Sequence, residues 1–373
     1  MLNKYRILMK DSYQDLRVER IVDESWNTKS FYLRPADGSS IETYAPGQHL
    51  LFSLPVDPAE PDLRMMRFYT LSDCYRSAGA YRITVKHEVG REAAAPDGAG
   101  STYLHQHVKV GDSLQAKGPM GDFTLEAADE GGVMLIGGGI GITPILAMAQ
   151  AIAAEGNSYR EVRVFLGMRN REDHPFKDEF AALVRDFPSI QLNVCYDEST
   201  AADVQGSDYD YAERVSVDLF KRVLSHNRYD YYICGPRPMM DALTGDLAAW
   251  GVAEAQIFTE SFGPATASHL IEQSEADGAT DCTEEAASDV IEVNFSRNGV
   301  THTWDPRYKC LLEFAEAKGV SISAGCLYGD CGICMTPLKQ GVVGYNHPTE
   351  ITPDEGCCLP CSCKPTSSIT LEA

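Results

Sequence analysis

The first third of the chain consists of short runs in which hydrophobic and polar residues alternate. Such runs occur at 29–34, 50–54 and 81–88, and clusters of Gly, Pro, Asp and Ser separate them. Many short runs with this punctuation are typical of strands in an antiparallel barrel or sandwich. We therefore predict a mostly β domain over residues 1–127.

The pattern changes over residues 128–264, where short, continuous apolar runs alternate with helical stretches. Because βαβ units produce this alternation, it predicts a doubly wound parallel α/β sheet. The predicted strands are 133–136, 162–166, 191–196 and 231–234, and the predicted helices are 145–154, 176–186 and 218–224.

The last 84 residues, 290–373, form a third predicted unit of α+β type. Two predicted strands, 289–296 and 300–304, flank Asn298-Gly299, and this dipeptide is a strong hairpin signal. A predicted helix over 309–318 follows, and then a cysteine-rich loop.

An acidic segment precedes this unit. From Glu272 to Asp289 every charged residue is acidic, and most other residues are Ala, Gly, Ser or Thr. Since like charges keep a chain extended, we predict a solvated linker over 265–289. The alternative is a surface loop of the preceding domain.

Composition narrows the class of protein. The 373 residues are 44% hydrophobic and 23% charged, as in soluble globular proteins. The net charge of −22 would be repelled by phosphate backbones and anionic lipid, which predicts no nucleic-acid and no membrane partner. The N-terminus lacks a signal-peptide pattern, so we expect a cytoplasmic location. The apolar stretch 133–154 is long enough to span a bilayer, but its central glycines favour a strand–loop–helix.

Cysteine is concentrated at the end of the chain, where eight of the twelve cysteines lie in the last 64 residues. Without a secretion signal, clustered cysteines are more typical of metal sites than of disulfides. Cys326, Cys331 and Cys334 have the C-x4-C-x2-C spacing of plant-type 2Fe–2S sites. The neighbouring Gly325, Gly329 and Gly332 allow the backbone to approach a cluster closely. A zinc site is the alternative, although zinc usually takes two C-x2-C pairs.

A 2Fe–2S cluster needs a fourth thiolate, and the residues offer Cys357, Cys358, Cys361 and Cys363. The segment Leu359-Pro360-Cys361 resembles the end of plant-type ferredoxin domains, which have an α+β (β-grasp) fold and in which the ligand follows Leu-x. That resemblance implies Cys361, and Cys358 and Cys363 remain alternatives.

Two further segments carry the residue types of nucleotide sites. Arg67-Phe68-Tyr69-Thr70 opens a predicted strand over 70–72. Gly98–Ser101 precedes a predicted helix over 102–107, and this arrangement offers backbone N–H groups and a hydroxyl to a phosphate. Gly137–Pro144 lies between a buried strand and a helix, the context of a pyrophosphate loop. In that loop Gly138 and Gly139 let a ligand touch the backbone, Thr143 is expected to cap the helix, and Pro144 suits its first position.

Together these motifs resemble the ferredoxin–NADP reductase superfamily, including the reductase part of flavohaemoglobins. The resemblance implies that Arg67 binds flavin phosphate, Tyr69 packs on the isoalloxazine, and Thr70 hydrogen-bonds near N5. It implies that Ser101 holds a pyrophosphate, which favours FAD; FMN, used by phthalate-dioxygenase-type reductases, is the alternative. Further predicted flavin-site residues are Phe68, Lys86, His87, Gly100 and Thr102.

The second half of the resemblance concerns hydride transfer. Cys234-Gly235-Pro236 resembles the C-G-P motif whose cysteine faces the nicotinamide, although Cys234 alone would pass for a small buried hydrophobe. In Glu260-Ser261-Phe262-Gly263 the resemblance implies that Phe262 covers the flavin and Glu260 lies near the hydride path; a solvated charge is the alternative for Glu260. Arg169 either pairs with a 2′-phosphate or stacks on adenine. Because Glu172 and Asp173 disfavour a phosphate, we expect NADH, with NADPH as the alternative.

The domain order resembles the reductase component of a bacterial Rieske-type oxygenase, including those that demethylate quaternary amines. NADH releases a hydride and an iron–sulfur cluster takes single electrons, so a flavin is needed to convert one into the other. The expected route is NADH, FAD, 2Fe–2S and then a terminal oxygenase, with the acidic linker letting the cluster domain alternate between flavin and partner. The alternatives are another acceptor (a hybrid-cluster protein, a P450 or a desaturase), a redox sensor without turnover, and an interaction protein with structural zinc.

Overall fold

The computed structural model describes most of the chain in two compact units, Met1–Phe262 and Gly263–Ala373. The predicted linker over 265–289 lies outside the described residues. Those residues are 13–57, 60–75, 79–89, 98–125, 132–154, 161–262, 291–308, 310–320, 322, 329, 334–346, 349, 352–354 and 356–373.

An antiparallel sheet of six strands forms the N-terminal part. Its strands are β1 (Gln14–Ser25), β2 (Thr28–Pro35), β3 (His49–Asp57), β4 (Glu60–Thr70), β5 (Tyr81–Lys86) and β6 (Ser113–Met120), in the order β4-β3-β6-β1-β2-β5. Leu71, just after β4, bridges to Ile83 of β5, and the Ser72 N–H donates to the Arg82 carbonyl at 2.8 Å. The two edge strands therefore meet, which confirms the predicted β-barrel. One helix, α1 (Ala99–Gln106), precedes β6.

A five-stranded parallel sheet forms the second half of this unit. Its strands are β7 (Gly132–Gly138), β8 (Val162–Met168), β9 (Ile190–Tyr196), β10 (Tyr229–Cys234) and β11 (Ile257–Glu260), in the order β11-β10-β7-β8-β9. The helices are α2 (Ile142–Ala154), α3 (Lys177–Asp186), α4 (Val217–Val223) and α5 (Arg237–Ala249). Alternate residues of β7 enter two separate cores: Leu135 packs with α2 and α3, and Ile136 with α4 and α5. This confirms the doubly wound prediction.

The apolar stretch 133–154 is accounted for by β7 and α2. Eleven of the thirteen α2 residues are buried inside the protein, so its hydrophobicity serves the core. In the part of the chain that the structure describes, no helix is long and apolar enough to cross a membrane.

Several element boundaries differ from the prediction. The strand expected to begin at Thr70 is the end of β4, and α1 begins at Ala99 instead of Thr102. Helix α2 begins at Ile142, so the Thr143 hydroxyl donates to the Ile140 carbonyl at 3.1 Å and does not cap, and Pro144 is the third helical residue. Proline is tolerated there because first-turn N–H groups have no acceptor within the helix.

The C-terminal unit combines a mixed sheet with one helix. Strands β12 (Glu292–Phe295) and β13 (Val300–Thr303) form the predicted hairpin, and α6 (Leu311–Ala317) follows. Strand β12 pairs in parallel with the last strand, β18 (Ile369–Leu371), as expected for the predicted α+β domain. The remaining strands are β14 (Thr336–Gln340), β15 (Val343–Tyr345), β16 (Cys357–Cys358) and β17 (Cys363–Pro365).

One buried arginine joins the barrel to the parallel-sheet half. Arg82 of β5 is 2% exposed; its guanidinium donates to Glu179 of α3 at 2.7 Å and to the Ser72 carbonyl at 2.5 Å. The same group lies 3.9 Å from Asp73 and 4.9 Å from the centre of the Phe176 ring. Charges this deep in a protein are tolerated only when they are paired.

Replacing Arg82 with Met should lower the free energy of unfolding of the first unit by about 2–3 kcal/mol, because the Asp73 and Glu179 carboxylates lose their buried partner. Urea unfolding followed by tryptophan fluorescence measures this change. The matched control is R185M on α3, whose pair with Asp186 is exposed to solvent and should contribute little to stability. Equal losses in both variants would contradict a role for Arg82 in joining the two halves.

Candidate functional site at the carboxyl edge of the parallel sheet

The strand order of the parallel sheet reverses between β7 and β10, and ligands of such sheets bind at that point. Gly137 at the end of β7 is paired with Cys234 at the end of β10, and Cys234 is paired in turn with Glu260 at the end of β11. The glycine loop, the C-G-P motif and Glu260 therefore lie side by side at one edge, as the sequence motifs required.

Close backbone packing explains the glycines at this edge. A Cβ on Gly141 would overlap the Cys234 carbonyl, and a Cβ on Gly235 would lie 3.1 Å from the backbone of Gly138. Gly139 has a φ of +52°. The result is a bare backbone surface in front of the α2 N-terminus, which a pyrophosphate can approach directly.

The thiol of Cys234 is fully buried beside this surface. Burial, reinforced by the negative charge of Glu260, raises its pKa well above the usual range. The thiol therefore stays protonated and uncharged at neutral pH. A neutral, compact group of this kind leaves room for a ligand ring without adding charge.

The arginine–aromatic motif of β4 lies with the start of α1. A Cβ on Gly100 would lie 2.9 Å from Cγ of Arg67 and 3.1 Å from the Tyr69 hydroxyl, so only glycine allows this approach. Burial raises the pKa of Tyr69, which keeps its phenol neutral. Thr70 is 4% exposed, and its buried Oγ1 has no hydrogen-bond partner within the described residues. An orphaned hydroxyl in this place fits a polar atom of a bound flavin.

The residues predicted for the flavin phosphates surround the first turn of α1. The Ser101 hydroxyl donates to the Gly98 carbonyl at 2.9 Å and accepts the Glu88 N–H at 3.1 Å. His87, next to Lys86 at the end of β5, lies 3.1 Å from the Thr102 hydroxyl. Because the Ser101 hydroxyl already donates its proton to Gly98, the backbone N–H groups of the first turn of α1 are the donors that this segment offers to a phosphate.

Glu260 is not a solvated surface charge. Its side chain is 16% exposed, and Oε1 lies 3.6 Å from Nδ1 of His49, the first residue of β3. The other oxygen, Oε2, is buried and has no hydrogen-bond partner within the described residues. Phe262, at the end of the described part of this unit, is 36% exposed. His49 was not predicted from the sequence, although it directly follows the Pro46-Gly47-Gln48 segment.

The carboxyl end of β8 is occupied by an ion pair. Arg169 pairs with Asp173, whose side chain is only 7% exposed. Asp173 Oδ1 also accepts the Trp26 indole N–H at 2.7 Å and the Asn27 amide N–H at 3.3 Å, both from the turn between β1 and β2. The carboxylate is thus fixed in place at the position where such sheets distinguish the riboses of their dinucleotides.

A pair of cysteines marks the candidate metal centre in the C-terminal unit. The Sγ atoms of Cys334 and Cys361 are 3.1 Å apart, both residues are buried, and neither forms a disulfide. Cys326 and Cys331 lie outside the described residues. Cys358 and Cys363 instead pack in the apolar core with Phe314 and Leu371. Of the four candidates, Cys361 is therefore the one whose Sγ lies against Cys334, the motif cysteine that is among the described residues.

Gly329 also fits a closely wrapped loop in this region. Its φ is +89°, and a Cβ would lie 2.6 Å from the hydroxyl of the buried Ser362. Only glycine satisfies both restrictions. The converging thiols and this glycine fit a 2Fe–2S cluster.

Three family models match consecutive parts of the chain. The oxidoreductase FAD-binding domain matches residues 15–125, the oxidoreductase NAD-binding domain 135–244, and the 2Fe-2S iron-sulfur cluster binding domain 294–366.

Individual proteins are similar over one or both units. A flavohemoprotein of Bordetella pertussis is 38% identical over 251 residues, 67% of this chain and 61% of the relative, so the chain spans about three fifths of the flavohemoproteins it matches. The flavohem-like FAD/NAD binding domain of nitric oxide dioxygenase from Vibrio cholerae is 34% identical, with a TM-score of 0.57, over 67% of this chain and 99% of that domain. Phthalate dioxygenase reductase is 22% identical, with a TM-score of 0.60, over 97% of this chain and 98% of its own, which shows a shared fold.

Replacing Cys361 with Ala should abolish incorporation of the iron–sulfur cluster, because three thiolates cannot complete a four-thiolate site. Iron and acid-labile sulfide analysis, with visible absorption, measures this loss. The matched control is C363A, which removes a buried thiol two residues away and should retain the cluster. A C361A protein with full iron content, or a C363A protein without iron, would contradict the assignment.

Proposed function

Because the chain belongs to the ferredoxin–NADP reductase-like superfamily, with FAD-binding, NAD-binding and C-terminal 2Fe–2S domains, we propose that it delivers electrons from NADH to a terminal oxygenase. The observation that carries this proposal is that Cys234 and Glu260 end neighbouring strands beside the glycine loop, and that His49, the register partner of Thr70, lies 3.6 Å from Glu260. A bound flavin supplies the conversion of a hydride into single electrons that an iron–sulfur cluster accepts.

The residues of the chain supply binding and orientation. The glycine loop and the start of α2 bind the dinucleotide pyrophosphate, and the start of α1 binds the flavin phosphates beside Arg67. The Thr70 hydroxyl donates a hydrogen bond to the flavin ring, and Tyr69 packs against that ring. The neutral Cys234 thiol and Phe262 shape the space for the two rings and exclude water.

The proposed acceptor is a Rieske-type oxygenase, and this part rests on the domain order. Phthalate dioxygenase reductase, with which the chain shares its fold, is described as a modular structure for electron transfer from pyridine nucleotides to a 2Fe–2S group. We extend that role to this chain. A cytoplasmic location is proposed for this chain, because free thiolate ligands persist in the reducing cytoplasm, where NADH is also present. A different one-electron metalloprotein is the alternative acceptor.

The purified chain, loaded with flavin and iron, should lose its flavin and iron–sulfur absorption when NADH is added without oxygen, and should recover it when an oxidised Rieske oxygenase is added. Replacing Thr70 with Val should slow the bleaching about fivefold, because the flavin loses a buried hydrogen bond worth about 1 kcal/mol. Anaerobic stopped-flow absorption measures both. A colourless protein would contradict the proposal, and bleaching that no acceptor reverses would point to a sensor.

The choice of NADH over NADPH is proposed from the Arg169–Asp173 pair. A 2′-phosphate approaching Arg169 would meet the fixed, buried carboxylate of Asp173, and like charges at close range repel strongly. A ribose hydroxyl, by contrast, can donate to a carboxylate.

Replacing Asp173 with Asn, which keeps the shape of the side chain, should narrow the preference for NADH at least tenfold, because the repulsion of the 2′-phosphate is lost. The ratio of kcat/KM for NADH to that for NADPH, with ferricyanide as acceptor, measures the change. The matched control is E172Q: Glu172 was also predicted to disfavour the phosphate, but among the described residues it forms no ion pair with Arg169, so this variant should alter the ratio less than about twofold. An unchanged ratio in D173N would reject Asp173 as the determinant.

A further inference from the structure

His49 brings an imidazole from the barrel to the carboxylate of Glu260. Its Nδ1 lies 3.6 Å from Oε1 of Glu260, which is longer than a direct hydrogen bond, so the contact is electrostatic. His49 lies at the start of β3 and Glu260 at the end of β11, so the pair spans the two halves of the unit.

The imidazole is held in position from several sides. The edge of the ring meets Phe68, with the two ring centres 4.7 Å apart. On another side, a Cβ on Gly121 would lie 2.7 Å from Cε1 of the ring, so glycine is required for the ring to lie there. In the sheet register His49 stands directly opposite Thr70, which places the two on the same face of the barrel wall.

Glu260 needs such a partner. Its Oε2 is buried with no hydrogen-bond partner in the described part of the chain, and the adjacent Cys234 thiol is uncharged and buried. A carboxylate in this setting is destabilised unless a nearby group offsets its charge or fixes its hydrogen bonds. Among the described residues, His49 is the basic side chain that lies within ion-pair distance of the Glu260 carboxylate.

We infer that His49 is a positioning residue that holds the Glu260 carboxylate at the meeting point of the flavin and nicotinamide sites. His49 acts through Glu260, and its ring is held in position by Phe68 and by the absence of a side chain at Gly121. This inference rests on the proposed function, since it assigns a role within the proposed hydride-transfer site.

A double-mutant cycle on the holoprotein tests the coupling. The variant H49F keeps an aromatic ring against Phe68 but removes Nδ1, and it should slow NADH-dependent bleaching of the flavin about tenfold, with the Kd for NADH unchanged. E260Q should slow the bleaching by at least as much as H49F does. The double variant H49F/E260Q should be no slower than E260Q alone, because the effects of residues that act as one unit are not additive. H49Q, which retains an N–H donor, should recover part of the rate.

A spectroscopic readout separates positioning from packing. In protein labelled with 15N-histidine, the Nδ1 resonance of His49 is assigned as the one that is missing from H49F. This resonance should shift in E260Q. The control is the matched pair His226–Glu161, 3.4 Å apart at the other end of the parallel sheet: E161Q should leave the His49 resonance unchanged, and H226F should leave the bleaching rate unchanged.

The outcomes are distinguishable. Wild-type protein that NADH fails to bleach would overturn the proposed function itself. Wild-type protein that bleaches, together with additive losses in the cycle, a wild-type rate in H49F or an unmoved His49 resonance in E260Q, would overturn only the role of His49.

Discussion

The contact between two backbone segments at the carboxyl edge of the parallel sheet determines the layout of the site. Gly141 lies so close to the carbonyl of Cys234 that no side chain fits there, and a Cβ on Gly235 would make a tight contact with the backbone of Gly138. Because the segments touch, the ends of β7, β10 and β11 are drawn into one surface. His49 of β3 then lies against Glu260 at this surface, and Thr70 of β4 stands opposite His49 in the sheet register. A side chain at either glycine would separate the two strand ends before it altered any catalytic group.

Local chemistry in the sequence was sufficient to predict the site residues that lie on one segment. The glycine loop, the β4 motif and the cysteine spacing each lie within about a dozen consecutive residues, so each could be recognised locally. The barrel and the doubly wound sheet could be predicted from the periodicity of hydrophobic residues. His49 could not be predicted in this way, because its relation to Glu260 depends on the register of β3 and on the place of β11 in a different sheet. The burial of Asp173 likewise depends on Trp26 and Asn27, which are 147 and 146 residues away.

The error in the predicted start of α2 has a physical origin. A short 3₁₀ turn over Gly139–Gly141 runs directly into α2, so the helix begins before the residues that normally signal a start. Thr143 and Pro144 are acceptable inside the first turn, since the N–H groups there have no helical acceptor. Capping residues therefore locate a helix start only when no tighter turn precedes it.

Two of the buried polar atoms without partners among the described residues lie at the candidate site. The Thr70 hydroxyl and Glu260 Oε2 are both buried and unpaired within the described residues. Each such group costs about 1–3 kcal/mol relative to a satisfied one. That cost is acceptable only if a ligand offsets it, since a ligand that binds the folded state alone stabilises it in proportion to its affinity. Both atoms lie where the barrel meets the parallel sheet, beside the glycine loop. A ligand that forms hydrogen bonds to both atoms would recover free energy that the fold alone leaves unused, so ligand binding and completion of the local structure would be the same event.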